Sequence, residues 1–163
     1  MLKEGDKAPV FSGIDQYGKK ISSADYIGRK IILFFYPKDS TPTCSVEARN
    51  LQNNLSILRD KGLVIIGVSA DNIKSHKIFS NKLHLSFSII ADAGKKIIKD
   101  FGVWGSRTLF GINYEGILRS TFLIDERGTI QKVFTKVKVH DHARQILEAL
   151  ENNIQLYNRF LVL

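Results

Sequence analysis

The chain reads as an α/β protein, with a central mixed sheet flanked by helices and a β-hairpin at its N-terminal side. Two observations predict this. Short continuous apolar runs, "IILFFY" (Ile31–Tyr36) and "LVIIGVS" (Leu63–Ser69), suit strands buried on both faces. Stretches of helical spacing fall between such runs, and strands alternating with helices imply a mostly parallel or mixed sheet. A length of 163 residues fits one domain, 1–163, with a sizeable core.

The elements follow in chain order. "FSGIDQYGKKIS" (Phe11–Ser22) predicts a hairpin turning at or near Tyr17-Gly18. The Ile31–Tyr36 strand leads into a helical pattern over 42–60. The Leu63–Ser69 strand is followed by a helix over 72–82. "SFSIIAD" alternates into a further strand, and a short helix spans 94–101. "STFLID" (Ser120–Asp125) is a fourth buried strand. "GTIQKVF" alternates in period two after a turn at Arg127-Gly128, as a half-exposed strand should. A helix over 141–153 closes the pattern. "GVWG" reads only as a turn-like fragment, with Trp104 in packing or lining a cleft. "LYNRFLVL" is oddly apolar and is expected to pack on the body or on a neighbouring subunit.

Composition excludes several classes. Apolar residues make up 44% and charged residues 25%, as in ordinary globular proteins. No apolar run approaches the ~18 residues of a membrane helix. The opening "MLKEGDKAPV" is too polar for a signal peptide. A single cysteine makes no internal disulfide, so a reducing, cytoplasmic home is the simplest expectation. The net charge of +8 does not point to nucleic acid, because the basic pairs (Lys19-Lys20, Arg29-Lys30, Lys95-Lys96) are scattered rather than gathered in a stripe.

Chemistry concentrates in "PKDSTPTC" (Pro37–Cys44), which holds the only thiol. It lies at the carboxyl end of a buried strand and opens a helix, where open α/β sheets bind ligands. A residue before proline avoids the helical region and proline suits the first helical position, so Thr41 is the expected N-cap and Pro42 the first residue. Cys44 then falls in the first turn, where unpaired N–H groups and the positive dipole end favour a thiolate. Cys44, Ala48, Leu51, Leu55 and Leu58 recur at spacings of 4, 3, 4 and 3, so the sulfur lies on the inward stripe. Such a cysteine reads equally as a small buried hydrophobe. A working thiolate there needs an added cation.

No other motif competes. There is no phosphate-binding loop, no "GxSxG" elbow and no CxxC. His140 and His142 in "HDH" are two apart and point to different sides of a helix. Metal is therefore not expected, and Asp141 is expected to cap the last helix. His76 and His84 are expected on the surface.

"PKDSTPTC" resembles the active-site signature of peroxiredoxins, Pro-x-x-x-Thr-x-x-Cys. Over about residues 3–150 the chain is similar to the bacterioferritin comigratory protein subfamily, also called peroxiredoxin Q. "EGDKAPVFSGIDQYGKKIS", "IILFFYPKDSTPTCSVEA", "VIIGVSAD", "IIAD", "FGVW" and "RSTFLID" follow in the family order; 154–163 lie outside the match. The resemblance implies a thioredoxin-like fold with an N-terminal hairpin extension. It also implies thiol-dependent reduction of hydrogen peroxide and organic hydroperoxides. By motif position it makes Cys44 the peroxidatic nucleophile and Arg119 the cation. Thr41 becomes a hydroxyl donor, Pro37 the shield of the pocket, and Glu47 a support of the polar network. The chemistry needs no metal or organic cofactor. Many subfamily members carry a resolving cysteine five residues after the first, and here that position is Arg49. A one-cysteine cycle is therefore expected, with thioredoxin, glutaredoxin or a small thiol as reductant. Members of this type are often monomers, and a monomer is expected, with a dimer the alternative that the apolar 154–163 stretch suggests. Two rivals stand beside this reading: a thioredoxin-like binding module with a merely buried Cys44, and a thiol transferase.

Overall fold

The computed structural model of the chain describes residues 1–162. Five strands form the main sheet: β3 (Lys30–Phe35), β4 (Leu63–Ser69), β5 (Ser88–Ala91), β8 (Ser120–Ile124) and β9 (Ile130–Phe134). Their order is β5-β4-β3-β8-β9. β3 pairs parallel to β4 and antiparallel to β8, so the sheet is mixed, as the sequence predicts. β3 sits at its centre, and its alternate residues feed two separate cores. Ile32, Phe34 and Tyr36 join Leu51, Leu58, Phe79 and Ile146 on one face. Ile31, Leu33 and Phe35 join Ile97, Phe101 and Phe122 on the other.

The first core is covered by α1 (Pro42–Asn53), α2 (Leu55–Asp60), α3 (Ile73–Leu83) and α5 (His142–Leu161). The second is covered by α4 (Lys96–Asp100) and by the N-terminal hairpin of β1 (Ser12–Ile14) and β2 (Lys20–Ser22). The hairpin lies so close to β5 that a Cβ on Gly13 would meet Ile90 Cγ2 at 2.3 Å. Buried Gln16 locks it there: its Oε1 accepts from Ile89 N at 2.8 Å, and its Nε2 donates to Phe87 O at 2.9 Å.

Three expectations are corrected and a fourth is narrowed. The helix over 42–60 is two helices, because the Asn54 side chain donates back to Asn50 O at 2.8 Å and competes with the helical ladder. "GVWG" is a turn only at Gly102: Trp104 opens β6 (Trp104–Leu109), which pairs antiparallel with β7 (Ile112–Ile117) in a hairpin of its own. Most of this hairpin faces solvent, so it shows no buried apolar run. Its two-residue turn places Phe110 and Gly111 at positive φ (51° and 75°) where asparagine and glycine are the usual signal. The last helix runs to Leu161 rather than 153. The apolar stretch within it does not pack on the body: Tyr157, Phe160 and Leu161 are all exposed. Its final residue, Leu163, lies outside the described residues.

Candidate active site

Strand β3 delivers the chain to Tyr36, and the loop 37–41 turns it into α1. Thr41 holds the N-cap position in extended conformation (φ −80°, ψ 151°), with Pro42 next. The expected cap bond is absent, because the Thr41 hydroxyl instead donates to Lys38 O at 2.9 Å across the loop. Pro37 follows the end of β3 and is half-buried. Cys44 sits in the first turn of α1 and is 2% exposed, on the inward stripe that the spacing predicts.

Antiparallel pairing of β3 with β8 sets Phe35 opposite Ser120, so Arg119 enters beside the active-site loop. Its guanidinium works as a fork. Nη2 donates to Cys44 Sγ at 3.2 Å, and Nη1 donates to Glu47 Oε2. Cys44 and Glu47 are three residues apart on α1 and share one face, so one planar fork spans both. Glu47 is fully buried. Burial pushes its carboxyl from 4.5 to about 7, outweighing the opposing pull of Arg119. Its Oε1 has no hydrogen-bond partner among the described residues. Burial pulls Arg119 down, but Glu47 and the Cys44 sulfur together push it above its ordinary value. A fixed cation thus faces a buried sulfur at a helix N-terminus, an arrangement that can meet a developing oxyanion.

Two histidines are buried, and one of them departs from expectation. His142 is fully buried. Its Nδ1 donates to Gln145 Oε1 and its Nε2 accepts from the Thr121 hydroxyl, both at 2.8 Å. Burial holds it neutral, lowering it to about 4, and the Arg119 charge acts in the same direction. Nor does the Asp141 side chain cap α5. That role falls to Asn50 of α1, whose Oδ1 accepts from Ala143 N at 2.9 Å.

His76, expected on the surface, is fully buried, whereas His84 is exposed as expected. His76 Nε2 donates to Ile90 O at 3.1 Å, and Nδ1 bonds Asp39 Oδ2 at 2.7 Å. Asp39 belongs to the "PKDS" loop. It also accepts from Tyr36 Oη at 2.6 Å and from the Ser75 hydroxyl at 2.8 Å, while its backbone N–H donates to Asp71 Oδ2 at 2.9 Å. Asp39, Asp71 and His76 gather ligand-type atoms within 4.8 Å of one another. Those atoms are already bonded to protein donors and acceptors, so the group clamps the active-site loop to α3 and the β4–α3 connection. The sequence reading missed this clamp. Its signal was present: His76, Phe79, Ser80 and Leu83 recur at helical spacing on the buried face of α3.

Comparison with known proteins follows the same lines. The AhpC/TSA family matches residues 4–133. A putative peroxiredoxin Bcp of Haemophilus influenzae is 39% identical over 151 residues, 93% of this chain and 97% of the relative. Peroxiredoxin Bcp of Escherichia coli is 37% identical over 152 residues, 93% of this chain and 97% of the relative. Among solved structures, the bacterioferritin comigratory protein of Xanthomonas campestris, studied for its alkyl peroxide reduction activity, superposes with a TM-score of 0.81 at 32% identity, covering 88% of this chain and 91% of that one. A Xylella fastidiosa PrxQ mutant gives 0.87 at 29% identity, covering 94% and 98%.

Proposed function

The chain belongs to the AhpC/TSA family and is a peroxiredoxin, a thiol-dependent peroxidase, and from that premise we propose that Cys44 is its peroxidatic nucleophile and Arg119 the cation that serves it. The supporting observation is the guanidinium fork of Arg119, shared between the Cys44 sulfur and buried Glu47.

The thiolate of Cys44 attacks one oxygen of the peroxide. The S–O bond forms as the O–O bond breaks, and the second oxygen leaves with the electron pair and takes a proton, giving water or an alcohol. Cys44 becomes a sulfenic acid. Negative charge moves from sulfur to the departing oxygen, so Arg119 Nη2 follows it from one to the other. The first-turn N–H groups of α1 donate to the peroxide, the Thr41 hydroxyl, its own proton given to Lys38 O, accepts from the peroxide O–H, and Pro37 walls the loop side. Glu47 keeps the fork aimed.

The cycle closes from outside, because the chain holds one cysteine. A thiol attacks the sulfenic acid, releasing water and forming a mixed disulfide. A second thiol resolves it and restores Cys44. Thioredoxin, glutaredoxin and small thiols all supply that chemistry. Hydrogen peroxide and alkyl hydroperoxides are the substrates. No metal or organic cofactor is required. Residues 1–163 act as one domain in a reducing cytoplasm, where the enzyme removes peroxides and maintains redox balance. Among the described residues, no helix is long and apolar enough to cross a membrane.

One experiment tests this. Stoichiometric peroxide is added to reduced protein, then a sulfenic-acid trap, and the intact mass is taken. Rapid single labelling, absent in Cys44→Ser, is expected. No labelling under native conditions would instead favour a binding module. Slow labelling with fast disulfide exchange would favour a transferase.

A further inference from the structure

Helix α5 packs on the body through His142, Ala143, Ile146 and Leu150. It then runs on for about three turns, roughly 16 Å, to Leu161. The buried stripe does not end with the contact. Leu150, Ile154, Tyr157 and Leu161 continue it at spacings of 4, 3 and 4, yet Ile154, Tyr157 and Leu161 are 58%, 66% and 68% exposed. Phe160 flanks them, 76% exposed. An isolated helical segment this short is marginal in water, and its stability ordinarily comes from packing of its apolar face.

We propose that this free face of α5 docks on the same face of a second copy of the chain, antiparallel, about a two-fold axis between residues 155 and 156. The stripe is self-complementary about that point. Antiparallel pairing sets Leu150 against Leu161 and Ile154 against Tyr157, twice over, in the 4-3-4 spacing of a coiled-coil seam. A parallel pair would force the two bodies together at the level of residues 142–150. The antiparallel pair puts them at opposite ends, so the tip of each helix meets the other copy where its Leu150 enters the core.

Charge agrees. In a chain of net charge +8, the free segment carries only Glu151 and Arg159, and neither lies on the stripe. Arg159 points to the opposite side of the helix. The outer face carries Arg159 as its one cation beside Asn152, Gln155 and Asn158, too few to hold an amphipathic helix on an anionic membrane. The aromatic pair Tyr157 and Phe160 brings a large payload, since a buried aromatic covers about 150–250 Å². With Ile154 and Leu161 the face offers several hundred Å² per partner, at the small end of specific interfaces of ~800 Å² a side. The dimer is therefore concentration-dependent. It departs from the monomer that the resemblance implies, and it uses none of the residues around Cys44.

Sedimentation velocity of the full chain under reducing conditions tests the proposal. Wild type is expected to shift from monomer to dimer with concentration. Ile154→Glu alone and Tyr157→Lys alone are each expected to remain monomeric, with circular dichroism confirming that both are folded. Mixed together they are expected to recover a dimer, because antiparallel pairing sets position 154 of one copy against position 157 of the other. Peroxide reduction by each variant should match wild type, which separates this test from that of the catalytic assignment. A wild type that stays monomeric at every accessible concentration would overturn the proposal. So would a dimer that persists in both single variants, a mixture that fails to reassociate, or monomer that binds anionic phospholipid vesicles through this helix.

Discussion

Replacing Arg119 by methionine removes one guanidinium and leaves its volume largely filled. Two bonds go at once: Nη2 to Cys44 Sγ at 3.2 Å, and Nη1 to Glu47. The first bears on rate. A charged hydrogen bond to the thiolate is worth about 1.5–3 kcal/mol in the ground state. That part does not lower the barrier, because only the excess in the transition state counts. The excess arises as charge reaches the departing oxygen, where loss of one donor costs about 10²–10³ in rate. The second bond bears on stability. Breaking a buried ion pair costs about 3–5 kcal/mol when it strands a charge. Glu47 need not be stranded, because burial already holds it at about 7 against the pull of Arg119. Without that pull it rises further and is protonated at neutral pH. The expected stability loss is therefore nearer the about 1–3 kcal/mol of a lost buried hydrogen bond. Stopped-flow peroxide consumption with excess dithiol should fall at least about 100-fold, alkylation of Cys44 at neutral pH should slow, and the protein should remain folded. Arg119→Lys should recover only part of the rate, since a point charge cannot bridge both partners. If Arg119→Met reacts within a few-fold of wild type, the guanidinium has no part in the chemistry.

Thr41→Val should slow peroxide reduction while Thr41→Ser keeps most of the rate; the stability cost should be that of one exposed bond to Lys38 O rather than of a lost helix cap, and equal rates in the two variants would leave the hydroxyl without a role. Glu47 gives a pH test. Its folded value of about 7 lies above the ordinary 4.5, so its contribution to stability is full below 4.5 and fades as pH rises through 7. Relative to Glu47→Gln, wild type should lose about 2–3 kcal/mol between pH 5 and pH 8 in denaturant melts, and a flat difference would refute the burial argument. Asp39→Asn should loosen the loop clamp, lowering stability by about 1–3 kcal/mol and kcat/KM tenfold or more through misplacement of the loop; a rate unchanged despite lost stability would confine Asp39 to folding. Arg49→Cys should turn peroxide treatment into an intramolecular disulfide with partial loss of helical signal, and a lasting sulfenic acid beside a freely alkylated second thiol would contradict it.

Much of this was legible because the signals are local. The run Ile31–Tyr36 and the Pro42 helix start depend on nearby sequence alone; the strand forms over Lys30–Phe35 and the helix begins at Pro42. The four-residue rhythm from Cys44 to Ala48 told which way the sulfur points. What the sequence hid was settled by distant partners. Thr41 looked like a cap, yet its hydroxyl found Lys38 O nearer to hand. Asp141 looked like a cap, yet α1 supplies Asn50 from 93 residues away. His76 looked like a surface residue because polar neighbours surround it in sequence; its bonds run to Asp39 and to Ile90 O, on two other elements. The β6–β7 hairpin lacked both a buried run and the usual turn residues. Arg119 is the middle case: only the resemblance marked it, and the β3–β8 register then put it beside the sulfur.

The same geometry sets a tension in the cycle. Arg119 can bridge Cys44 and Glu47 only while the first turns of α1 stay wound, because winding is what places residues three apart on one face. In the wound helix the Cα atoms of positions 44 and 49 stand roughly 8–9 Å apart, beyond the about 4.4–6.8 Å of a disulfide. A resolving cysteine at 49 would therefore demand unwinding on every turnover, with the fork released each time. Exposed Arg49 makes no such demand, so α1 should stay folded when Cys44 is oxidised. The consequence falls on the reducing step. The sulfur is almost fully buried, and the bond between Asp39 and His76 clamps the loop that leads into its helix. A thiol must approach the buried sulfenic sulfur directly, so a small one should reach it with less rearrangement than the thiol of a protein. Reduction by a protein thiol would need the clamp or the first turn to open, and Asp39→Asn should then speed that step even as it slows peroxide attack.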